Sequence, residues 1–160
     1  MRQLNVTSGA RRGQAENMAI AKMSVAELEK FLHAEFPQAF IGGDITIERA
    51  DGISCLLRQR YGEQMLRPGG TISGPTLMAL ADFAMYVVLL SAIGPVGLAV
   101  TTNLNINFLR KPAQADLIAE ARLMKLGKRL AVGEVTLYSQ GSEEPVAHVT
   151  STYSIPSSGN

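Results

Sequence analysis

The stretch Ser73–Ile93 reads SGPTLMALADFAMYVVLLSAI. It carries one charge, Asp82, inside an otherwise apolar run. At about 1.5 Å of rise per residue, a helix of this length reaches about 30 Å, enough to cross a bilayer. Three features point instead to a helix buried inside a folded domain. Asp82 falls near the centre, where an ion in hydrocarbon costs about 3 kcal/mol. Gly74-Pro75 and Gly94-Pro95 punctuate the two ends, and Pro75 sits in the first turn, where proline is tolerated. No basic residues bracket the run. The pattern predicts one long helix from about Gly74 to Ile93, apolar all round and needing cover on nearly every side.

Towards the amino terminus, Ser24-Val25-Ala26-Glu27 is a capping box, and the helix it opens runs through LEKFLHAEF to a stop before Pro37. DITIERADGISCLLRQRY, residues 44–61, predicts two strands around a tight turn at Ala50-Asp51-Gly52. GEQMLRPGGTI, residues 62–72, predicts a loop without regular structure, because Pro68, Gly69 and Gly70 interrupt it. Beyond the long helix, GLAVTTNLNINFLRK alternates Leu104, Ile106 and Phe108 with Asn103, Asn105 and Asn107, a period of two with one dry face and one wet. ADLIAEARLMKL, LAVGEVTLYSQ and PVAHVTSTYSI follow, with a turn at Gly127-Lys128-Arg129. The expected order is helix, hairpin, long apolar helix, then a four-strand antiparallel meander. A strongly curved antiparallel sheet can wrap an apolar helix, so the fold class is α+β with short connections.

A chain of 160 residues, 46% hydrophobic, is most simply one domain with a substantial core. We expect residues 1–22 to be a loosely ordered amino-terminal extension, 23–156 the domain and 157–160 a polar tail. The formal net charge of +1 gives no global case for nucleic acid or an anionic membrane as partner. The extension is polar, contains Arg11-Arg12 and lacks the apolar core of a secretory signal. Cys55, the single cysteine, has no intrachain disulfide partner and sits in a strand-like stretch as a small buried residue. A reducing, cytoplasmic compartment is expected. His33 and His148 are far apart and lack companions at metal-ligand spacing, so no metal is expected. No nucleophile elbow, phosphate loop or dinucleotide fingerprint is present.

The order of elements resembles the hotdog fold, in which a sheet wraps a central helix. Within that fold the chain resembles the PaaI-type acyl-CoA thioesterases over roughly Ile41 to Ile155. Asp82 stands at the helix acid of that family, NINFLRKP matches its strand phrase, and KLGKRLAVGEV matches its Gly-Lys/Arg turn and following strand. The loop departs from the pattern: Arg67 stands at the family's asparagine, and Ser73-Gly74-Pro75 replaces His-Gly-Gly. The resemblance implies hydrolysis of an acyl or aroyl thioester to free acid and coenzyme A, with coenzyme A only as part of the substrate. It also implies homodimers that pair sheets edge to edge and often double into tetramers, and a strand hydroxyl, here Thr101 or Thr102, beside the acid.

The chemistry of these residues is consistent with that reading. A thioester carbonyl under attack becomes an oxyanion and needs preorganised donors. The start of a buried helix offers unpaired N–H groups, and Gly74 permits close approach while Pro75 has no N–H to give. Asp82 is either the base that activates water or a nucleophile that forms an anhydride. Gly74 and Asp82 are eight residues apart, about 12 Å along a helix, so one carbonyl cannot meet both in one subunit. Two antiparallel helices related by a two-fold axis can supply the pair. Of Thr101 and Thr102 only one can point inward; its position relative to Phe108 favours Thr101. Arg110 and Lys111, with Lys128 and Arg129 in the next turn, are candidates to hold coenzyme A phosphates. Arg67 and Ser73 are further candidates for contact with the substrate. A non-catalytic hotdog protein that binds acyl-CoA is the alternative. A hydratase is a weaker one, because Ser73 leaves the usual histidine role empty.

Overall fold

The computed structural model describes residues 21–157. Most of the expected extension, residues 1–20, and the last three residues of the tail lie outside the described residues. Helix α1 spans Val25–Glu35. The Glu27 amide donates to Ser24 Oγ at 3.3 Å, and the Ser24 amide donates to the Glu27 carboxylate at 2.7 Å, so the capping box forms reciprocally. Leu28 and Leu32, one turn apart, form its buried face. Pro37 opens a short 3-10 turn, Pro37–Phe40.

Strands β1, Ile45–Ala50, and β2, Ser54–Gln59, form the expected hairpin. Asp51 organises its turn: Oδ1 accepts from the Ile53 and Ser54 amides at 2.9 and 2.6 Å, and Gly52 takes a φ of 84° that a side chain would resist. Residues 62–72 are more regular than the sequence leads one to expect. A 3-10 turn, Glu63–Met65, leads into a two-residue ladder between β3, Leu66–Arg67, and β4, Thr71–Ile72. Pro68, Gly69 and Gly70 form the turn of this small hairpin rather than abolishing it, because the glycines adopt φ values of 99° and 74°.

Helix α2 spans Gly74–Ile93, with Ser73 as its N-cap. Leu77, Leu80, Ala81, Met85, Val88 and Leu89 are all buried, and no face of its second half is polar. Length and composition would allow it to cross a membrane, but most of it is buried inside the domain. Strands β5, Val100–Phe108, β6, Leu117–Leu126, β7, Leu130–Ser139, and β8, Pro145–Ser154, complete one six-stranded antiparallel sheet in the order β1-β2-β6-β7-β8-β5. The architecture is the expected hotdog arrangement, a curved sheet around a central helix.

The last four strands are not one meander. Only β6, β7 and β8 run as successive neighbours; β5 pairs with β8 and forms an outer edge. Two intervening strands separate β5 from β6, about 14 Å at about 4.8 Å per step. The eight residues between Phe108 and Leu117 can span that gap. Alternation reveals which residues of a strand face the helix, but not which strand lies beside it.

The sheet meets α2 most tightly at Gly133. A Cβ there would lie 2.5 Å from Met85 Sδ and 2.8 Å from the Arg122 carbonyl oxygen. The β6–β7 register shifts between Leu123 and Lys125, a bulge that bends the sheet beside this contact. Cys55 lies on the same concave face, fully buried, its Sγ 3.3 Å from the Ala84 carbonyl oxygen, and burial pushes its thiol up to about 12. Gly133→Ala is expected to destabilise the fold by about 1–3 kcal/mol through overpacking. Gly42→Ala, where a Cβ meets nothing within 4 Å, should stay within about 0.5 kcal/mol of the parent. Urea unfolding of the two variants side by side checks both.

Candidate active site

Asp82 lies where α2 meets β5 and β8 beside a cavity, and it is only half-buried. Thr101 Oγ1 donates to Asp82 Oδ1 at 2.6 Å, and the Tyr153 hydroxyl lies 2.9 Å from the same oxygen. The Tyr153 hydroxyl also lies 3.0 Å from the Asp82 carbonyl oxygen. A carboxylate in apolar company is tolerable only with such donors.

A backbone irregularity brings Thr101 there. Strict alternation back from Ile106 and Leu104 would turn Thr102 inward. The register on β8 shifts between Thr101 and Asn103, so Thr102 is the extra residue of a bulge. Thr101 thereby pairs with Tyr153 and faces α2, while Thr102 Oγ1 donates to the Thr152 carbonyl at 3.2 Å. Tyr153 is the site residue that sequence reasoning missed. Its signal was readable in part: it follows Val149 and Ser151 in the buried phase of β8, and a buried tyrosine must bring its hydroxyl to a polar partner. Tyr86 stacks on it at 6.2 Å between ring centroids, and the Tyr86 hydroxyl donates to the Gly97 carbonyl at 3.2 Å. Burial pushes the Tyr153 phenol well above its ordinary value, and the neighbouring Asp82 charge adds to this. Burial also raises Tyr86, with Glu35 contributing.

Asp82, Thr101, Tyr153 and Tyr86 lie on the wall of a cavity of about 1150 Å³ between α2, the α1 end and the start of β5. Phe36, Phe83, Leu80 and Met65 make much of the remaining wall apolar. Phe36 and Phe40 meet Phe83 at centroid distances of 6.2 and 5.6 Å, which fixes α1 and its following turn against α2. Gln59, the polar exception on the inward face of β2, also contributes to the wall, and its Oε1 has no hydrogen-bond partner among the described residues.

The other predicted residues are placed as follows. Ser73 caps α2: its Oγ accepts from the Thr76 amide at 3.3 Å and lies 2.8 Å from Thr76 Oγ1. Gly74 is the first helical residue, where an N–H has no intrahelical acceptor. The Phe108 ring lies so close that a Cβ on Gly74 would come within 3.1 Å of it. Arg67 is exposed on β3 and lies outside the wall of the cavity. Arg110 pairs with Glu144 at 3.4 Å and donates to the Pro145 carbonyl. Arg110 and Lys111 follow β5 at the end of the sheet where β6 begins, whereas Lys128 and Arg129 occupy the β6–β7 turn at the other end. The ten residues of β6 put about 33 Å between these ends. One chain therefore does not bring the two basic pairs together on one nucleotide.

Residues 69–146 match the family described as the thioesterase superfamily. A Saccharolobus solfataricus protein named a "putative esterase" is 31% identical over 121 residues, 75% of this chain and 78% of that protein. The crystal structure of a "putative thioesterase" from Silicibacter sp. is 44% identical, with a TM-score of 0.79, covering 87% of this chain and 96% of that one. The chain belongs to the thioesterase superfamily. A Streptococcus pneumoniae "hypothetical thioesterase protein with coenzyme A" shares the fold at 21% identity, with a TM-score of 0.68 over 81% of this chain and 97% of that one. Membership supports thioester hydrolysis in general and makes the Asp82 cluster the candidate centre of this thioesterase-superfamily chain.

The buried phenols predict an alkaline limit to stability. A folded-state value raised above the unfolded value of about 10 leaves stability intact below that pH and withdraws it as pH rises beyond. Tyrosinate absorbance from Tyr153 should therefore appear only together with cooperative unfolding. Tyr153→Phe should make the alkaline decline of stability shallower, as thermal unfolding across pH would record.

Proposed function

We propose that this chain is an acyl-coenzyme A thioesterase of the PaaI type, hydrolysing an acyl or aroyl thioester to free acid and coenzyme A. The observation that carries the reading is a carboxylate, Asp82, held by two hydroxyls on the wall of a large and mainly apolar cavity. About 1150 Å³ is at or above the usual range for small-molecule sites. An acyl group fits such a space, and the thioester carbonyl would then lie beside Asp82. As a base, Asp82 takes a proton from water while the water oxygen adds to the carbonyl carbon. The tetrahedral oxyanion then collapses, expelling the coenzyme A thiolate, which recovers the proton. As a nucleophile, Asp82 forms an anhydride with loss of the same thiolate, and water hydrolyses it.

The oxyanion needs donors, and Gly74 N–H is the nearest match to the family pattern. At eight residues' separation it stands about 12 Å from Asp82 along the same helix. We therefore propose that a second copy supplies it, in a homodimer of two shared sites. Support comes from the outer edge of β5, which has no strand beside it among the described residues; Val100 and Phe108 at its ends, and Leu98 and Leu109 flanking it, are exposed. Exposed apolar edges of this kind invite pairing with another copy. Such a dimer would also bring basic residues from two chains towards one nucleotide.

Wild-type protein is expected to release thiol from some member of a panel of short, medium, long and aromatic acyl-CoAs. Asp82→Asn should lower turnover by about a hundredfold or more while the far-ultraviolet spectrum stays unchanged. Full turnover in that variant would refute the assignment. Saturable binding of acyl-CoA with no thiol released by the wild type would favour the non-catalytic reading, which the atypical Ser73-Gly74-Pro75 loop keeps open.

A further inference from the structure

Asp82 has two carboxylate oxygens, and the described residues treat them differently. Oδ1 accepts from Thr101 at 2.6 Å and from Tyr153 at 2.9 Å. Among the described residues Oδ2 has no donor. The two donors are a cross-strand pair, Thr101 of β5 opposite Tyr153 of β8: the bulge at Thr102 turns Thr101 towards the helix, and the alternation of β8 already points Tyr153 there. The Tyr153 hydroxyl carries one proton, shared between Oδ1 and the Asp82 main-chain carbonyl, so it grips side chain and backbone of the same residue. Its ring is held in turn by the stack on Tyr86, which Gly97 anchors. A carboxylate held this way keeps one orientation about its terminal torsion, which is otherwise broad.

Building on the thioesterase reading, we infer that Tyr153 is a positioning residue: with Thr101 it engages Oδ1 of Asp82, so that Oδ2 alone meets the reacting water or thioester carbonyl. The Tyr153 ring is part of the cavity wall, but its hydroxyl is directed at Asp82 and acts through it. Burial keeps its phenol protonated, and so a donor, across the neutral range. Preorganisation of this kind works on the chemical step and leaves ground-state binding nearly untouched.

The test is Tyr153→Phe, which removes the hydroxyl and retains the ring that stacks on Tyr86. kcat for thiol release is expected to fall roughly ten- to a hundredfold with KM changed less than about twofold. In an Asp82→Asn background the same substitution should have no further effect on the residual rate. If Asp82→Asn is inactive while Tyr153→Phe keeps wild-type kcat, this inference is overturned and the thioesterase reading stands. If Asp82→Asn keeps full turnover, the thioesterase reading fails, and a spectroscopic readout decides the placement independently. Infrared difference spectra should show an Asp82 carboxylate stretch, identified by its loss in Asp82→Asn, that moves in Tyr153→Phe; an unmoved band overturns the inference whatever the activity. Should the phenylalanine variant fail to fold, Thr101→Val leaves Tyr153 as the hydroxyl donor to Oδ1. The Asp82 band of that variant should still shift between H₂O and D₂O, and a band indifferent to the exchange overturns the inference.

Discussion

A helix without a polar face sets the terms for this molecule. α2 buries residues on every side along most of its length, and burying a leucine- or valine-sized side chain is worth about 1.5–3 kcal/mol. No flat surface can cover such a cylinder. The sheet therefore curls, and its curvature shows in the register shifts of β5 and β6 and in the absence of a side chain at Gly133, where Met85 takes the space. The capped helix α1 covers part of the remaining flank through Leu28, Leu32 and the aromatic contacts of Phe36 and Phe40.

The candidate site occupies the place where that cover is incomplete. A charge on α2 is affordable only there, because only there can it meet a cavity on one side and hydroxyl donors on the other. The donors come from strands distant in sequence, which the β5–β8 pairing makes neighbours. That pairing is also what leaves β5 at the edge of the sheet. One topological choice thus places the hydroxyls on the carboxylate and exposes the edge through which we propose a second copy completes the site.

The outer face of the sheet shows what an ordinary charged cluster looks like by contrast. Glu134 sits between Arg122 and His148, and its carboxyl is held below the usual range first by the hydrogen bond from Arg122 and then by that from His148. These groups are partners of one another on a surface, beside a hollow of about 360 Å³ against about 1150 Å³ at Asp82. Asp82 differs in having neutral donors, an apolar cavity and no cation paired with it among the described residues.

Much of this was legible in the chain. The capping box, the ends of α2, the β1–β2 turn at Asp51 and the two-residue alternation of β5 are local, and local steric and hydrogen-bonding rules determine them. The isolation of Asp82 in an apolar run was visible for the same reason, and so was the need for a curved sheet. Tertiary structure alone decided that β2 lies beside β6 and β5 beside β8, that Pro68-Gly69-Gly70 turns a hairpin, and that the basic residues of two turns lie at opposite ends of the sheet. It also decided the partners of Asp82, because a bulge at Thr102 resets the strand parity and Tyr153 arrives from 71 residues away. Periodicity reports which way a side chain points along its own element; the identity of the group it meets depends on contacts between elements that no local pattern encodes.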